Sequence, residues 1–447
     1  MLVVESENAL GGLSKSIQLW NRRVDLGPHR FFSKNKKVNS FWLEMTQNDY
    51  AIIERKTSIL FENKFLDYPL TAGSVFKALN GVQIAGIIAS YLKRCLWPLR
   101  SEKSFADVII NRFGDRLFEI FFRGYTEKVW GVACDLLDKD FAIQRINNFS
   151  LFAALKNILF KDRNIHKTLL SHFAYPNRSA GIVYEHMAAE ICKNGGKILF
   201  NTKVAKVNFD RSQTSVKSVT LTDGSEIRAD HCISTMPINT LLAKSFQNEI
   251  QLAKIVSSLK FRNTILVYLN IKETDLFAEQ WIYVNAKNLT IGRITNFNNW
   301  NKGPFGETLL CLELWCNSED SIWKQTNSKI SELAIKDFKS LERFRNVTVQ
   351  DTHIIKIPNS YPIYTKNYRS VIDEVDNFLM RFKNLICIGR AGAFRYNNQD
   401  HSILMGFLAY ENIAHQAAHN TWKVNLESEY FEAVRLDETG LERPEGS

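Results

Sequence analysis

The densest group of side chains that could bind a ligand lies near the end of the chain, in residues 389–402. An apolar run at residues 385–388 precedes it and predicts a short buried strand. Residues 403–414 follow with apolar side chains at helical spacing. The pattern therefore predicts a strand, a glycine-bearing turn, a polar loop and a helix. The candidate N-caps of that helix are Asn397, Asn398, Asp400 and Ser402.

The start of this predicted helix is suited to ligand binding. Exposed N–H groups at a helix start favour an electron-rich ligand edge. Gly389 and Gly392 would let the backbone approach that ligand, because glycine has no side chain in the way. The alternative is an ordinary strand-to-helix connection in which the polar side chains only cap the helix.

A second candidate group lies at the start of the chain. Residues 1–5 read as an apolar strand that ends in Glu5. In dinucleotide-binding folds, an acid at such a strand end bonds the ribose hydroxyls of the adenosine. A turn follows, with the residues Gly11, Gly12, Leu13 and Ser14. The alternative for the two glycines is a plain turn.

A third group combines a turn with a histidine and an arginine, in the order Gly27, Pro28, His29, Arg30. Arg30 could face a substrate phosphate, because a guanidinium makes strong paired hydrogen bonds to phosphate oxygens. The alternative for His29 is a capping or surface histidine in a Gly-Pro turn.

Cationic and aromatic side chains alternate in one central segment that contains Arg123, Tyr125, Lys128 and Trp130. Such a mixture suits a sugar ring with a phosphate, or a flat porphyrin-like ligand. The alternative is the end of an amphipathic helix with solvated charges. Tyr361 and Tyr364 precede the last polar group and could line the same cleft.

The elements that must position these groups change in type along the chain. Residues 38–170 have a mostly helical pattern, with helices predicted at residues 38–45, 71–99 and 105–122 and a predicted hairpin at residues 57–68. Alternating patterns between residues 255 and 316 predict the strands of an antiparallel sheet. Residues 322–341 predict an amphipathic helix.

The composition limits the classes of ligand and partner that the chain is expected to bind. The formal net charge of +10 and the pI of about 9.1 suit anionic small molecules or anionic lipid, or reflect a generally basic surface. Nucleic acid is not expected, because the basic residues are dispersed and no helix-turn-helix, zinc-finger or RNA-binding signature occurs. The seven cysteines are scattered without a Cys-x-x-Cys pair. We therefore predict buried thiols in a reducing cytoplasm and no metal site.

The most apolar window covers about residues 82–99, but Lys93 and Arg94 interrupt it, so it is too short to span a membrane. Its basic end continues to Arg100 and Lys103 and allows peripheral contact with the inner membrane. The alternative is a buried helix of a second domain.

Together these groups resemble the amine-oxidase and protoporphyrinogen-oxidase-like FAD proteins, which include the UDP-galactopyranose mutases. The resemblance runs from Val4 to about Glu432. It is strongest for a bacterial branch with His-Arg-Phe-Phe-Ser near the start and Arg-Tyr-Asn-Asn-x-Asp-His-Ser near the end. It implies FAD as the cofactor and a small-molecule substrate, with a sugar nucleotide as one candidate. The oligomeric state stays open.

The resemblance also implies roles for single residues. Glu5 would bond the adenosine ribose, the turn at residues 11–14 would pass the phosphates, and Val204 would lie beside the adenine. Gly27 and His29 would pass close to one face of the flavin.

At the other end of the chain, Gly389 and Arg390 would lie along the ribityl-phosphate side of the flavin. The last helix would point its start at the pyrimidine edge of the flavin. The residues implied there are Asn398, Asp400, His401 and Ser402.

One family feature is absent from the sequence as given. The family places a strand, a Gly-x-Gly-x-x-Gly loop and a helix before the acid, whereas this sequence begins inside the second strand and holds no such loop. Either the sequence begins late or the protein is a variant without the pyrophosphate loop. We therefore expect weakened or absent FAD binding, and near-stoichiometric flavin in a purified sample would refute this.

The implied fold is α/β, with a Rossmann-like FAD/NAD(P)-binding domain, N-terminally truncated, interleaved with a substrate domain of α+β type. The substrate domain combines helices with an antiparallel sheet. The predicted segments are 1–45, 171–245 and 350–420 for the FAD domain, 46–170 and 246–349 for the substrate domain, and 421–447 for a tail.

Three functions are compatible with these motifs. The first is an FAD-dependent oxidoreductase in which substrate hydride passes to flavin N5, with His29 and Arg30 as the catalytic residues. The second is a sugar-nucleotide mutase like the UDP-galactopyranose mutases, in which Arg30, Arg123 and Lys128 would clamp the diphosphate. The third is a non-catalytic remnant, motivated by the absent phosphate loop.

Overall fold

A computed structural model of the chain describes residues 1–68, 78–146, 172–247, 249–301, 306–425 and 441. The strands, in chain order, are β1 (Leu2–Val4), β2 (Ser16–Leu19), β3 (Arg22–Asp25), β4 (Tyr50–Glu54), β5 (Thr57–Phe61), β6 (Lys64–Asp67), β7 (His172–Pro176), β8 (Lys197–Leu199), β9 (Val204–Phe209), β10 (Val216–Leu221), β11 (Glu226–Arg228), β12 (Cys232–Ser234), β13 (Phe261–Ile271), β14 (Trp281–Asn285), β15 (Arg293–Asn296), β16 (Thr308–Cys316), β17 (Val349–Pro362) and β18 (Leu385–Cys387).

The α-helices, in chain order, are α1 (Lys36–Thr46), α2 (Gly81–Leu96), α3 (Phe105–Phe113), α4 (Asp115–Leu117), α5 (Gly124–Trp130), α6 (Lys139–Ile146), α7 (Ile182–Lys193), α8 (Ile238–Ser245), α9 (Ile250–Ser258), α10 (Ser321–Lys324), α11 (Asn327–Ser340), α12 (Tyr368–Leu379), α13 (Gly389–Gly392) and α14 (Gln399–Ala414). A π-helical segment at Phe118–Arg123 joins α4 to α5, and short 3-10 helices lie at Gly12–Ser14, Phe297–Asn299, Glu342–Phe344 and Thr421–Lys423.

A seven-stranded sheet in the order β17-β13-β16-β15-β14-β5-β6 is the main framework. Its neighbouring strands are antiparallel except for β14 and β5, which are parallel. Alternate residues of β13 reach two different cores: Ile265 and Val267 pack with Phe338 of α11, whereas Leu266 and Tyr268 pack with the hairpin β2–β3. The expected antiparallel sheet is therefore confirmed, with one parallel pair added.

Smaller sheets complete the α/β part of the fold. Strands β1 and β8 form one parallel pair and β12 and β18 form another, while β11, β10 and β9 form an antiparallel sheet. Strand β18 ends at Cys387, shortly before the glycine turn of α13. It therefore positions the beginning of the last polar group, as the sequence predicts.

The helical block α2–α6 differs from the sequence prediction at one point. Residues 105–122 are not one helix, because the chain breaks at Gly114, whose φ is +84°. A Cβ at this position would lie 2.7 Å from Ser90 Oγ, so the close approach and the positive φ both favour glycine. The break directs the chain into α4 and the π-helical segment.

Other predicted elements can be compared only in part. The hairpin predicted at residues 57–68 is confirmed as β5 and β6. The helix predicted from residue 71 to residue 99 is observed as α2, and residues 69–77 lie outside the described part. No helix in the described ranges is long and apolar enough to cross a membrane. The predicted domain boundaries stay a prediction.

Candidate functional site

A cavity of about 420 Å³ lies between the seven-stranded sheet, the helical block and the start of α14. Its aromatic lining residues are Phe32, Tyr68, Phe105, Phe121, Phe122, Tyr125, Trp130, Phe141, Tyr283, Trp315, Tyr361 and Tyr396. Its cationic and polar lining residues are Arg30, Arg55, Arg293, Thr126, Asn285, Asn398, His401 and Asn425. Such a cavity, with apolar walls and a few polar groups, is typical of a small-molecule site.

The two ends of the chain meet beside this cavity. Gln399 Nε2 donates a hydrogen bond to the carbonyl oxygen of His29 at 3.3 Å. The hydroxyl of Tyr184, on α7, donates to Gln399 Oε1 at 3.0 Å. The Tyr184 ring also lies against the diglycine turn, because a Cβ on Gly11 would be 2.9 Å from its Cδ2 atom. Tyr184 therefore connects the first predicted group to the last one.

The start of α14 presents Asn398 and His401 to the cavity. The backbone N–H of Asn398 donates to His401 Nδ1 at 3.1 Å, so the neutral imidazole carries its proton on Nε2. Burial lowers the pKa of His401 despite the nearby Asp400, and Arg390 lowers it further. Asp400 is itself buried, which raises its pKa, and it lies outside the cavity lining. Ser402 Oγ donates to the carbonyl oxygen of Asn398 at 3.2 Å.

The guanidinium of Arg390 is hydrogen-bonded to the backbone of the loop before α14. Its Nε and Nη2 atoms donate to the carbonyl oxygen of Asn397 at 2.9 and 2.6 Å, and Nη1 donates to that of Ser360 at 3.3 Å. The guanidinium carbon lies 5.1 Å from the Tyr361 ring centroid and 5.4 Å from that of Tyr396. Arg390 therefore ties the loop to β17 and supports two aromatic walls of the cavity.

His29 is held in a neutral state next to the cavity. Its Nδ1 atom donates to the carbonyl oxygen of Gly27 at 3.0 Å, which leaves Nε2 as an acceptor. Burial lowers the pKa of His29 to about 3, with a further contribution from Arg390. The next residue, Arg30, lines the cavity and its guanidinium carbon lies 4.9 Å from the Phe32 ring centroid.

The hairpin that carries this turn is anchored by the buried carboxyl of Asp25. It accepts hydrogen bonds from Ser16 Oγ at 2.6 Å, the Tyr175 hydroxyl at 2.8 Å and the Ala180 N–H at 3.0 Å. The Tyr268 hydroxyl donates to the Asp25 carbonyl oxygen at 2.7 Å. Burial raises the pKa of Asp25 to about 6, and the donors only partly oppose this.

A buried ion pair packs against the same turn at Gly27. Arg293 Nε and Nη2 donate to Glu313 Oε1 and Oε2 at 2.5 and 2.6 Å, and the two residues are opposite each other on β15 and β16. A Cβ on Gly27, whose φ is +83°, would lie 3.4 Å from Glu313 Oε1. Arg293 also lines the cavity. Sequence reasoning left Arg293 without a role; the signal that could have found the pair is a lone acid in the apolar run at residues 309–316.

Of the six predicted substrate residues, the structure brings Tyr125, Trp130 and Tyr361 to the cavity. Tyr364 lies elsewhere: its hydroxyl accepts a hydrogen bond from the Tyr396 N–H at 2.7 Å, and its ring stacks on that of Tyr368 at 4.2 Å. It therefore fixes the loop behind the cavity wall.

Arg123 and Lys128 also lie away from this cavity. Arg123 pairs with Glu119 at 2.7 Å, four residues earlier in the same helical stretch, and both side chains are partly exposed. Lys128 Nζ donates to three backbone carbonyl oxygens, of Val284, Ala286 and Ile291, at 3.2, 2.6 and 3.2 Å. Burial lowers the pKa of Lys128 to about 8, although Asp337 opposes this. The amine therefore ties α5 to the sheet, and the predicted diphosphate clamp does not agree with these positions.

The residues predicted for the adenosine end of the cofactor lie outside the cavity. Glu5 Oε1 accepts from the Glu7 N–H at 2.8 Å, and the Glu5 carbonyl oxygen accepts from the Thr202 N–H at 2.8 Å. The second bond brings Glu5 near the start of β9, where Val204 lies. Leu13 belongs to the 3-10 helix Gly12–Ser14. The structure thus places Glu5 and Val204 in one region.

Metal chemistry has no support in the described ranges, where no group of three or more His, Cys, Asp or Glu side chains is placed to hold an ion.

The fold is that of a flavoprotein family. Residues 1–371 match the family described as flavin containing amine oxidoreductase, and the chain belongs to that family. The match ends before α13 and α14, so the role of the last polar group stays a prediction.

Three solved structures show the extent of that similarity. A reduced UDP-galactopyranose mutase has a TM-score of 0.80 at 21% identity, over 96% of this chain and 93% of that one. A protein described as a protoporphyrinogen oxidase, from Exiguobacterium sp. 255-15, has a TM-score of 0.65 at 15% identity, over 87% of each chain. A putrescine oxidase variant has a TM-score of 0.60 at 11% identity, over 93% of each chain. At these identities the comparisons establish the fold.

Proposed function

We propose that this chain is an FAD-dependent oxidoreductase that oxidises an anionic organic molecule in the aromatic cavity. The observation that carries the proposal is the meeting of the His29–Arg30 turn and the start of α14 at one cavity of about 420 Å³. Family membership supports a flavin, and the arginine-bearing lining supports an anionic substrate.

The residues at the flavin end fit the cofactor. Gly389 has a φ of +81°, and the nearest heavy atom to a Cβ built on it is Thr235 Cγ2 at 4.0 Å, so backbone is open to a ligand there. Asn398 and His401 offer donors at the start of a sixteen-residue helix. At the other end, a Cβ on Gly12 would meet nothing within 4 Å. Glu5 and Gly12 would hold the adenosine and phosphate side.

A flavin bound there supplies a hydride acceptor or, when reduced, a nucleophile. The chain's own residues do the rest. His401, with its proton on Nε2, would offer a hydrogen-bond donor to the flavin from the helix start. Neutral His29 adds no charge beside the reacting groups. Arg293, fixed and charge-balanced by Glu313, would offer its remaining N–H groups to the substrate, and the aromatic walls would exclude water.

A sugar-nucleotide mutase is the second candidate. The similarity to a reduced UDP-galactopyranose mutase favours it, because that structure covers 96% of this chain at a TM-score of 0.80. In this case Arg30, Arg55 and Arg293 are the cations in position to hold the diphosphate, since Arg123 and Lys128 lie outside the cavity.

Anaerobic spectroscopy of protein reconstituted with FAD separates these functions. Loss of the oxidised flavin absorbance on adding an organic acid supports the oxidoreductase. Turnover of a sugar nucleotide only after dithionite reduction supports the mutase. Arg30→Gln should weaken substrate binding in either case, and the exposed Arg345→Gln is the matched control. A protein that takes up no FAD supports the non-catalytic remnant and contradicts both enzymes.

A further inference from the structure

The outer face of α2 is apolar and exposed. Its large apolar residues with high exposure are Val82, Ile88, Leu92 and Leu96, and Trp97 follows directly. Val82, Leu96 and Trp97 are 84%, 69% and 68% exposed. The four residues within α2, with Ala85 and Ala89 between them, occupy an arc of about 120° on the helix at 3.6 residues per turn, and Trp97 extends this surface beyond the helix end. We call this set the α2 stripe.

The stripe is a surface feature and not a misplaced core. Ile87 is the buried residue of α2, and it lies nearly opposite the stripe on the helical wheel. The inner side of the same helical block contributes Phe105, Phe121 and Phe122 to the cavity. The inner face of the block therefore lines the cavity, and its outer face is apolar and exposed to solvent. An exposed apolar patch of this kind usually marks an interaction surface.

Exposed cations surround the stripe. Lys93 lies between Leu92 and Leu96 in the sequence of α2, Arg100 and Lys103 follow the stripe along the chain, and all three are exposed. Arg116 of α4 is exposed as well, and its Nε atom would lie 3.9 Å from a Cβ on Gly86 of α2. Glu102 is the exposed acid of this segment. The rim of the stripe is therefore positively charged, in a chain whose formal charge is +10.

We propose that the α2 stripe and its basic rim dock on an anionic lipid surface. An amphipathic helix with cations at its edge and Leu and Trp on its apolar face lies in the plane of such a surface. The charge pattern favours lipid over a second copy of the chain, because a symmetric pairing would bring the same cations against each other. Trp97 at the end of the stripe suits the headgroup level of a bilayer.

Vesicle co-sedimentation tests the proposal. Wild-type protein should bind vesicles that contain phosphatidylglycerol and bind phosphatidylcholine vesicles at least tenfold more weakly, with binding reduced by added salt. The double variant Leu92→Glu, Leu96→Glu should lose at least tenfold in binding. Leu136→Glu with Met380→Glu, two residues that are 51% and 62% exposed elsewhere, should bind as the wild type does.

The basic rim has its own test. Lys93→Gln with Lys103→Gln should weaken binding to phosphatidylglycerol vesicles several-fold, whereas the distant pair Lys324→Gln with Lys329→Gln should not. No vesicle binding by the wild type, equal binding to both lipids, or no effect of the Leu92 and Leu96 changes overturns the proposal.

Cys95, which is exposed next to the stripe, allows other occupants to be detected. An environment-sensitive fluorophore is attached to Cys95 in a Cys192→Ser background. Its emission should be that of a water-exposed label in the free protein and should shift to shorter wavelength when phosphatidylglycerol vesicles are added. A label that is already blue-shifted in a monomer shows that the chain covers the stripe itself. A dimer in light scattering that Leu92→Glu abolishes shows a second copy. Either result overturns the lipid proposal.

Discussion

Replacing Glu313 with leucine is the most informative change to the candidate site. The carboxylate is 2% exposed and is bonded by both donors of the Arg293 fork. Removing it leaves a cation in the cavity wall without its counter-charge. Truncating one member of a buried ion pair costs about 3–5 kcal/mol, because the remaining charge stays desolvated.

The same change should disturb the turn that carries His29. Glu313 lies beneath Gly27, so its loss removes packing as well as charge. We expect the free energy of unfolding to fall by about 4 kcal/mol in Glu313→Leu. Stability should recover in the double variant Arg293→Met, Glu313→Leu, because it contains no unpaired buried charge. The double variant should lie within about 1.5 kcal/mol of wild type.

The assay is urea unfolding followed by circular dichroism, analysed as a double-mutant cycle. Glu411→Leu is the matched control, because Glu411 pairs with Lys37 at 2.7 Å on the surface, where solvent screens the attraction and the pair adds little to stability. A Glu313→Leu protein that loses no more stability than Glu411→Leu would refute the reasoning. A double variant that is less stable than either single variant would refute it as well.

Three further predictions use other contacts. Burial raises the pKa of Asp25 from 3.8 to about 6, so the stability that its protonated carboxyl contributes is present below pH 4 and is lost as the pH rises to about 6. Asp25→Asn should therefore gain about 3 kcal/mol of stability relative to wild type across that window. A difference in urea unfolding that does not change with pH contradicts this. Lys128→Met should cost about 2–4 kcal/mol, because three buried carbonyl oxygens lose their donor, and unchanged stability in thermal unfolding would show that the amine is not held there. Gly389→Ala should cost about 1–2 kcal/mol through its positive φ, whereas Gly81→Ala, at the start of α2, should cost nothing measurable.

Local signals predicted much of the site. The start of α14 was predictable because an apolar strand, two glycines and a run of capping side chains are contiguous in residues 385–402. The hairpin β5–β6 was predictable because strand patterns flank Glu62 and Asn63, and Glu62 adopts the positive φ that a tight turn needs. These features depend on residues close together in the sequence.

Features that depend on distant pairing could not be predicted. The direction in which Lys128 points is decided by carbonyl oxygens of the β14–β15 region, and no periodicity in residues 123–130 contains that information. Arg123 differs, because its partner Glu119 lies four residues earlier on the same helical stretch and the pair could have been read from the sequence. The role of Tyr184 likewise requires knowing that α7 packs between the two ends of the chain. A tyrosine in a helical sequence pattern can pack against many different partners, so the pattern alone does not identify Gln399 as its partner.

Titration of the purified protein with FAD tests the central claim most directly, with the flavin spectrum as the readout. We predict a saturable change in the spectrum, even where the affinity is weak, and about tenfold weaker binding for His401→Leu, which removes one donor at the start of α14. The exposed His415→Leu, at the other end of α14, should bind FAD as the wild type does. A spectrum of free flavin throughout the titration would contradict the account, and equal binding by His401→Leu would remove α14 from the flavin site.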